Sequence, residues 1–129
     1  MIWTGTGTHY DKAEYHPAGG EPVRPKGYNA TLMTDQAIEF IRQSNDAAQP
    51  FFLMVSWNPP HATFTDAPED KKALYPEGSL PLRPNASGAN EAVPAGAPDI
   101  ARRNDWPNYQ GYHAHITAID EELGRVLAA

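Results

Sequence analysis

His61 is the residue whose setting points most directly to chemistry. It closes the segment Pro50-Phe51-Phe52-Leu53-Met54-Val55-Ser56-Trp57-Asn58-Pro59-Pro60-His61. An imidazole titrates near neutrality and, when charged, carries a donor on each ring nitrogen. It therefore suits proton transfer and contact with anionic oxygens. His113 and His115 are a weaker pair. Two positions apart on a helical pattern, they point about 200° apart around the axis and cannot clamp one ion together. They read as packing or surface residues. Cysteine is absent from all 129 residues, which excludes disulfides and thiolate metal sites. A site of hard oxygen ligands needs carboxylates converging from several strand ends. None of Asp11, Asp35, Asp66, Asp70 or Asp99 ends a credible strand, and Asp120 reads as a solvated or locally bonded helix acid. Lys71 and Lys72 read as a solvated basic pair.

The elements that must position His61 follow from hydrophobic patterning. The apolar run before Ser56 has strand length and lacks period-two alternation, as in a strand buried on both faces. It predicts a strand over about Phe51 to Ser56. Asn58-Pro59-Pro60 then breaks any ladder, because proline has no N–H and restricts the residue before it. His61 is thus expected just beyond a strand's carboxyl end, the edge where ligands bind in open α/β sheets. A first helix is expected from about Ala30 to Gln43, with Asn29 as N-cap and Met33, Ala37, Phe40 and Ile41 as its buried stripe. A helix feeding a buried strand is half of a βαβ unit, so the expected fold class is α/β with a mostly parallel or mixed sheet.

Asp66 and Pro68 suit the opening of a short helix that dies by Tyr75-Pro76. A last helix is expected from near Asn108 to the chain end. Tyr109, Tyr112, Ile116, Ile119, Leu123 and Val126 would form its apolar stripe. Ile2-Trp3-Thr4 and Thr8-His9-Tyr10 are candidate short extended pieces. Pro76 to Pro107 holds six prolines and no periodic pattern, a long loop of the kind that usually carries function or disorder.

Composition narrows the partners. The chain holds 16 acidic and 10 basic residues, a net charge of -6, which argues against nucleic acid or anionic membrane as the main partner. Mean hydropathy is -0.59, and no apolar run approaches the ~20 residues of a membrane span. No basic n-region followed by an apolar h-region is visible. The 13 prolines are about twice the usual ~5% share, so much of the chain is loop. A single defensible strand and two amphipathic helices cannot close a core alone. The expectation is an internal piece of one larger domain, lacking its N-terminal and C-terminal parts.

Three stretches, in order, resemble one family. Pro50-Phe51-Phe52-Leu53 running through an apolar strand to Pro60-His61 is similar to the middle of type I sulfatases, in the alkaline-phosphatase superfamily. Gly27-Tyr28-Asn29-Ala30-Thr31-Leu32-Met33-Thr34-Asp35-Gln36-Ala37-Ile38-Glu39-Phe40-Ile41 resembles the helix before that strand. Gly111 to Leu127, with Asp120-Glu121-Glu122-Leu123-Gly124-Arg125, resembles the later helix with its Asp-x-x-x-Gly-Arg ending. The resemblance covers nearly the whole chain.

The resemblance implies a partial alkaline-phosphatase/sulfatase-like domain with long Pro-rich loops and a parent enzyme that cleaves sulfate monoesters. It implies a formylglycine nucleophile and Ca²⁺, with nucleophile and metal ligands outside this chain. It gives His61 the role of contacting sulfate or protonating the leaving oxygen. The run His61-Ala62-Thr63-Phe64 departs from the family, which places a proline soon after this histidine. Ser79-Leu80-Pro81-Leu82-Arg83 fits the family's nucleophile pattern but lies downstream of the Pro-His strand, where a turn-rich surface loop is the better reading. Partners implied are a sulfated small molecule or glycan, in a periplasmic or secreted parent. Phosphodiesterases and phosphonate monoester hydrolases of the superfamily share these elements. They stay open, as does a non-catalytic sulfatase-like fragment.

Overall fold

The computed structural model describes residues 2–4, 9–10, 14–17, 19–46, 50–81 and 106–129. The chain begins with a small antiparallel ladder, β1 (Ile2–Thr4) against β2 (Glu14–His16), in the register Ile2↔His16, Trp3↔Tyr15 and Thr4↔Glu14. Tyr15 is fully buried, and its backbone also exchanges both hydrogen bonds with Val23, at 2.8 and 2.9 Å. Gly19, at φ 75°, allows the reversal between them. Side chains with a Cβ rarely adopt that left-handed conformation. Burial pushes the Tyr15 phenol up to about 12.

Helix α1 (Asn29–Asp46) starts and ends close to expectation. Its start is not side-chain capped as expected. The Asn29 side chain is buried with no hydrogen-bond partner among the described residues, while its backbone N–H donates to the His9 carbonyl at 2.8 Å. The buried positions of α1 are Asn29, Ala30, Thr34 and Ala37, the last three one step round from the larger apolar residues. Phe40, expected in the core, is 41% exposed.

The segment 50–58 corrects the central expectation of a laddered, doubly buried strand. Among the described residues it forms neither helix nor strand. Its side chains alternate: Phe52, Met54 and Ser56 are exposed, whereas Leu53, Val55 and Trp57 are half-buried. One face is therefore covered and the other is open, with Phe52 at 87% exposure. The covered face lies on α1. Phe51 meets Phe40 edge to face at 5.4 Å, and Trp57 Nε1 donates to Thr34 Oγ1 at 3.1 Å. Uniform hydrophobicity signalled an apolar surroundings that the described residues supply on one side.

A 3₁₀ turn (Phe64–Asp66) and a one-turn helix α2 (Glu69–Lys72) follow. Helix α3 (Trp106–Leu127) is the last described element. Its buried positions are Trp106, Gly111, Ala114, His115, Ala118 and Glu122. The expected stripe is therefore displaced: Tyr112, Ile116 and Leu123 are each about 40% exposed. The reason is close approach. Small residues on α3 and α1 bring the helices together, with Tyr28, Ala30 and Ala118 forming the core that Tyr10 and Trp57 flank. Polar groups stitch the same interface. Thr31 Oγ1 donates to Glu122 Oε1 at 2.6 Å, Arg125 Nη1 donates to Glu122 Oε2 at 2.6 Å, and Arg125 also pairs with Asp35. No described helix is long and apolar enough to cross a membrane.

Candidate active-site loop

His61 stands at the outer end of segment 50–58, on a turn closed by its own N–H donating to the Asn58 carbonyl at 3.1 Å. Cis peptides at Pro59–Pro60 and Ala62–Thr63 flank it. The ring is exposed. Its Nδ1 lies 2.8 Å from the Ala62 carbonyl. A carbonyl only accepts, so Nδ1 carries the proton. This leaves Nε2 as the nitrogen available to another molecule.

The loop behind His61 is anchored from below by α3. Gly111 lets the Phe64 carbonyl approach so closely that a Cβ there would lie 2.0 Å from its oxygen. One turn later, His115 is fully buried, with Nε2 3.3 Å from the Thr63 carbonyl and 3.5 Å from Asp66 Oδ1. Its Nδ1 lies 2.7 Å from the Tyr28 hydroxyl. With Nε2–H directed at the carbonyl, Nδ1 accepts from the tyrosine. Burial, reinforced by the neighbouring His9 ring, holds the His115 pKa down to about 4. Burial likewise pushes the Tyr28 phenol well above its ordinary range.

Asp66 joins the N-terminal segment to this loop. Its Oδ2 accepts the His9 backbone N–H at 2.8 Å, and its Oδ1 accepts from His9 Nδ1 at 2.6 Å. The His9 and His115 rings pack edge to face with centroids 4.4 Å apart. His9 Nε2 is buried without a partner among the described residues. One ligand atom each from His9, Asp66 and His115 lies within 4.8 Å of the others.

Asp66 was expected to cap the short helix. Instead α2 has Pro68 at its N-cap with no side-chain cap, because the Asp66 carboxylate is turned toward His9. His113 and His115 do point to different surroundings, as their spacing required. His113 packs against Tyr75, Tyr109 and Tyr112, and burial lowers its pKa. The true partners of His115 come from residues 49 and more positions away, with no local signal. Asp120 is exposed, and Asp35 pairs with Arg125. Lys71 and Lys72, expected to be solvated, pair with Asp70 and Glu121 and with Glu69. Ser79 lies in an exposed turn, its N–H donating to the Pro76 carbonyl at 3.0 Å. Leu82 and Arg83 of that pentapeptide, together with Asp11 and Asp99, lie outside the described residues, as does most of the stretch from Pro76 to Pro107.

The sulfatase family model matches residues 3–129. The chain belongs to the sulfatase family. Among sulfatases it is 30% identical over 119 residues to the ulvan-active sulfatase of Formosa agariphila, covering 92% of this chain and 21% of that protein. It is 28% identical over 123 residues to human iduronate 2-sulfatase, covering 74% of this chain and 21% of that one. The endo-4-O-sulfatase of Bacteroides thetaiotaomicron is 25% identical over 134 residues, covering 97% and 24% of the two chains. A crystal structure from Bacteroides fragilis, that of the sulfatase-like protein yidJ, superposes with a TM-score of 0.71 at 29% identity, covering 96% of this chain and 26% of that one. That likeness supports the alkaline-phosphatase-like fold. The chain thus spans about a fifth to a quarter of the length of these sulfatases.

Proposed function

We propose that this chain is a segment of the catalytic domain of a sulfuric ester hydrolase, and that His61 is its contribution to the active site. The observation that carries this is the presentation of His61. The ring is exposed on a constrained turn at the end of segment 50–58, and its Nδ1–H is committed to the Ala62 carbonyl. Nε2 is left to face substrate.

Hydrolysis of R–O–SO₃⁻ at sulfur breaks the S–O bond and leaves negative charge on the ester oxygen. A protonated His61 meets that need: Nε2–H donates to the leaving oxygen as charge develops, and the alcohol departs neutral. In the ground state the same donor holds a sulfate oxygen. The Ala62 carbonyl fixes the ring so that little reorientation accompanies transfer. His115, Asp66 and Gly111 act one layer below, by holding the loop from Thr63 to Asp66 on α3.

The family resemblance assigns the nucleophile to formylglycine and the metal to Ca²⁺. The described residues do not fit Ca²⁺. The one group of metal-capable side chains among the described residues contains two imidazoles, whereas Ca²⁺ takes six to eight oxygens. The His61 chemistry above needs no step through it. Two relatives carry names that specify ulvan and iduronate, so a sulfated saccharide is the substrate class we favour.

The test is His61→Ala in the protein expressed from its complete reading frame. Turnover of an aryl sulfate should fall by roughly 10²–10⁴, the usual span for a lost general acid. Unchanged kcat with native circular dichroism would remove His61 from the active site.

A further inference from the structure

The cluster beneath the His61 loop is made of metal-ligand side chains from three separate segments. We propose that His9, Asp66 and His115 bind a first-row divalent cation of the Zn²⁺ class, tying the N-terminal segment and the Thr63–Asp66 turn to α3. This inference stands apart from the hydrolytic reading and uses none of its steps.

Donor chemistry selects the ion. Two imidazoles and one carboxylate suit Zn²⁺ and its neighbours, not the all-oxygen preferences of Ca²⁺ or Mg²⁺. The atoms are already gathered, all within 4.8 Å of one another. Asp66 Oδ1 and His115 Nε2 are 3.5 Å apart. Ligands at ~2.0–2.1 Å around a tetrahedral ion sit ~3.3 Å apart, so that pair needs almost no movement. Asp66 Oδ1 and His9 Nδ1 are closer, at 2.6 Å, because they share a proton. Exchanging that proton for an ion opens the gap by somewhat less than ~1 Å. That movement breaks no hydrogen bond at His9 Nε2, which has no partner among the described residues, and shifts the ring along its edge-to-face contact with His115.

An outer shell is also in place. Metal-bound histidines usually have their second nitrogen held, and liganding carboxylates are themselves hydrogen-bonded. When Nε2 takes the ion, the His115 proton moves to Nδ1, which then donates to the Tyr28 hydroxyl 2.7 Å away, and the His9 backbone N–H holds Asp66 Oδ2 at 2.8 Å. Both histidine side chains are essentially inaccessible, at 1% and 0% exposure, while Asp66 is 23% exposed. An ion enters past the carboxylate, and water completes its coordination there.

The experiment uses untagged protein from the complete reading frame, stripped with chelator and reloaded with Zn²⁺. One zinc per chain with imidazole scattering at the zinc K-edge is expected, with a rise in Tm on loading. The double variant His9→Gln with His115→Gln should lose the imidazole signature, whatever all-oxygen site remains. Tyr28→Phe keeps every ligand and should weaken binding by about 10–100-fold. Wild-type zinc surrounded only by oxygen overturns the proposal. So does an imidazole signature that survives in the double variant. If the double variant fails to fold, the wild-type spectrum and the Tyr28→Phe affinity decide between the same outcomes.

Discussion

Replacing Gly111 with alanine tests the contact that seats the His61 loop on α3. An ideal Cβ at this position lies 2.0 Å from the Phe64 oxygen, 2.7 Å from the Phe64 carbonyl carbon and 3.3 Å from the Thr65 nitrogen. Even a weak C–H···O contact keeps carbon and oxygen about 3.3 Å apart. Helix and loop must therefore separate by roughly 1.3 Å, the shortfall of the 2.0 Å distance from that contact. Both sides are backbone, so no flexible side chain can yield. Overpacking of this kind costs about 1–3 kcal/mol, and the upper half applies where backbone must move. Alanine returns about 1 kcal/mol through helix propensity. Overlap wins, with a net loss of about 1–2 kcal/mol. Gly124 on the same helix is the control, because nothing lies within 4 Å of its Cβ position. Gly124→Ala should keep the full propensity gain of up to ~1 kcal/mol. The two variants thus shift stability in opposite directions, by about 2–3 kcal/mol in total. Urea midpoints at constant m-value, on protein from the complete reading frame, measure this directly. Turnover should fall with Gly111→Ala and hold with Gly124→Ala. If Gly111→Ala proves as stable as Gly124→Ala, the Phe64 carbonyl does not sit on α3 and the loop is positioned by something else.

Other substitutions separate roles that the fold keeps distinct. Loss of His61 should slow sulfate esters of poorly acidic alcohols more than activated aryl esters, and a Brønsted plot that keeps its slope in His61→Ala would refute the general-acid role. Ser79→Ala should leave kcat intact, because Ser79 sits in an exposed turn; abolished turnover would make its pentapeptide the nucleophile. Arg125→Ala removes the charge partner of Glu122, whose side chain is only 10% exposed, and should destabilise more than Asp35→Ala, whose side chain is 53% exposed. The first should cost about 1–3 kcal/mol and the second under about 1 kcal/mol, read from denaturant midpoints. Equal losses would show that Glu122 does not depend on Arg125. The 129-residue chain expressed alone should aggregate through the open face of segment 50–58, and Phe52→Ser with Met54→Ser should raise its soluble yield. Sedimentation that shows monomer for both proteins would contradict this.

Local pattern carried the helices because helix formation is a local event. Asn29 and the polar stop after Gln43 located α1, and the three- and four-residue steps from Tyr109 located α3. Pattern misjudged which face is buried. The steps from Tyr112 through Ile116 to Leu123 follow the largest apolar side chains, yet α3 turns Gly111, Ala114 and Ala118 inward. Size works against burial at a close helix crossing, since only small residues admit a neighbouring backbone. The same logic explains segment 50–58. Its uniform hydrophobicity reports what surrounds a strand, while the described residues cover only the side of Leu53, Val55 and Trp57.

The turn at His61 was legible because Asn58-Pro59-Pro60 after an apolar run ends any regular element by local rules alone, although the run itself is not a strand. The cluster beneath it was not, and the reason is geometric. His9 and Asp66 are 57 residues apart, and no spacing rule connects them. What the sequence did show is that Asp66 has a conventional local use, as a helix cap before Pro68. A carboxylate that declines a nearby cap must gain more elsewhere, since a cap is worth about 1 kcal/mol. Asp66 gains two hydrogen bonds from His9. Bonds to a charged acceptor are worth about 1.5–3 kcal/mol each, so the distant partner outbids the local one. A double-mutant cycle on His9→Gln and Asp66→Asn should therefore give a coupling energy above about 1 kcal/mol, whereas two independent local roles would give additive losses.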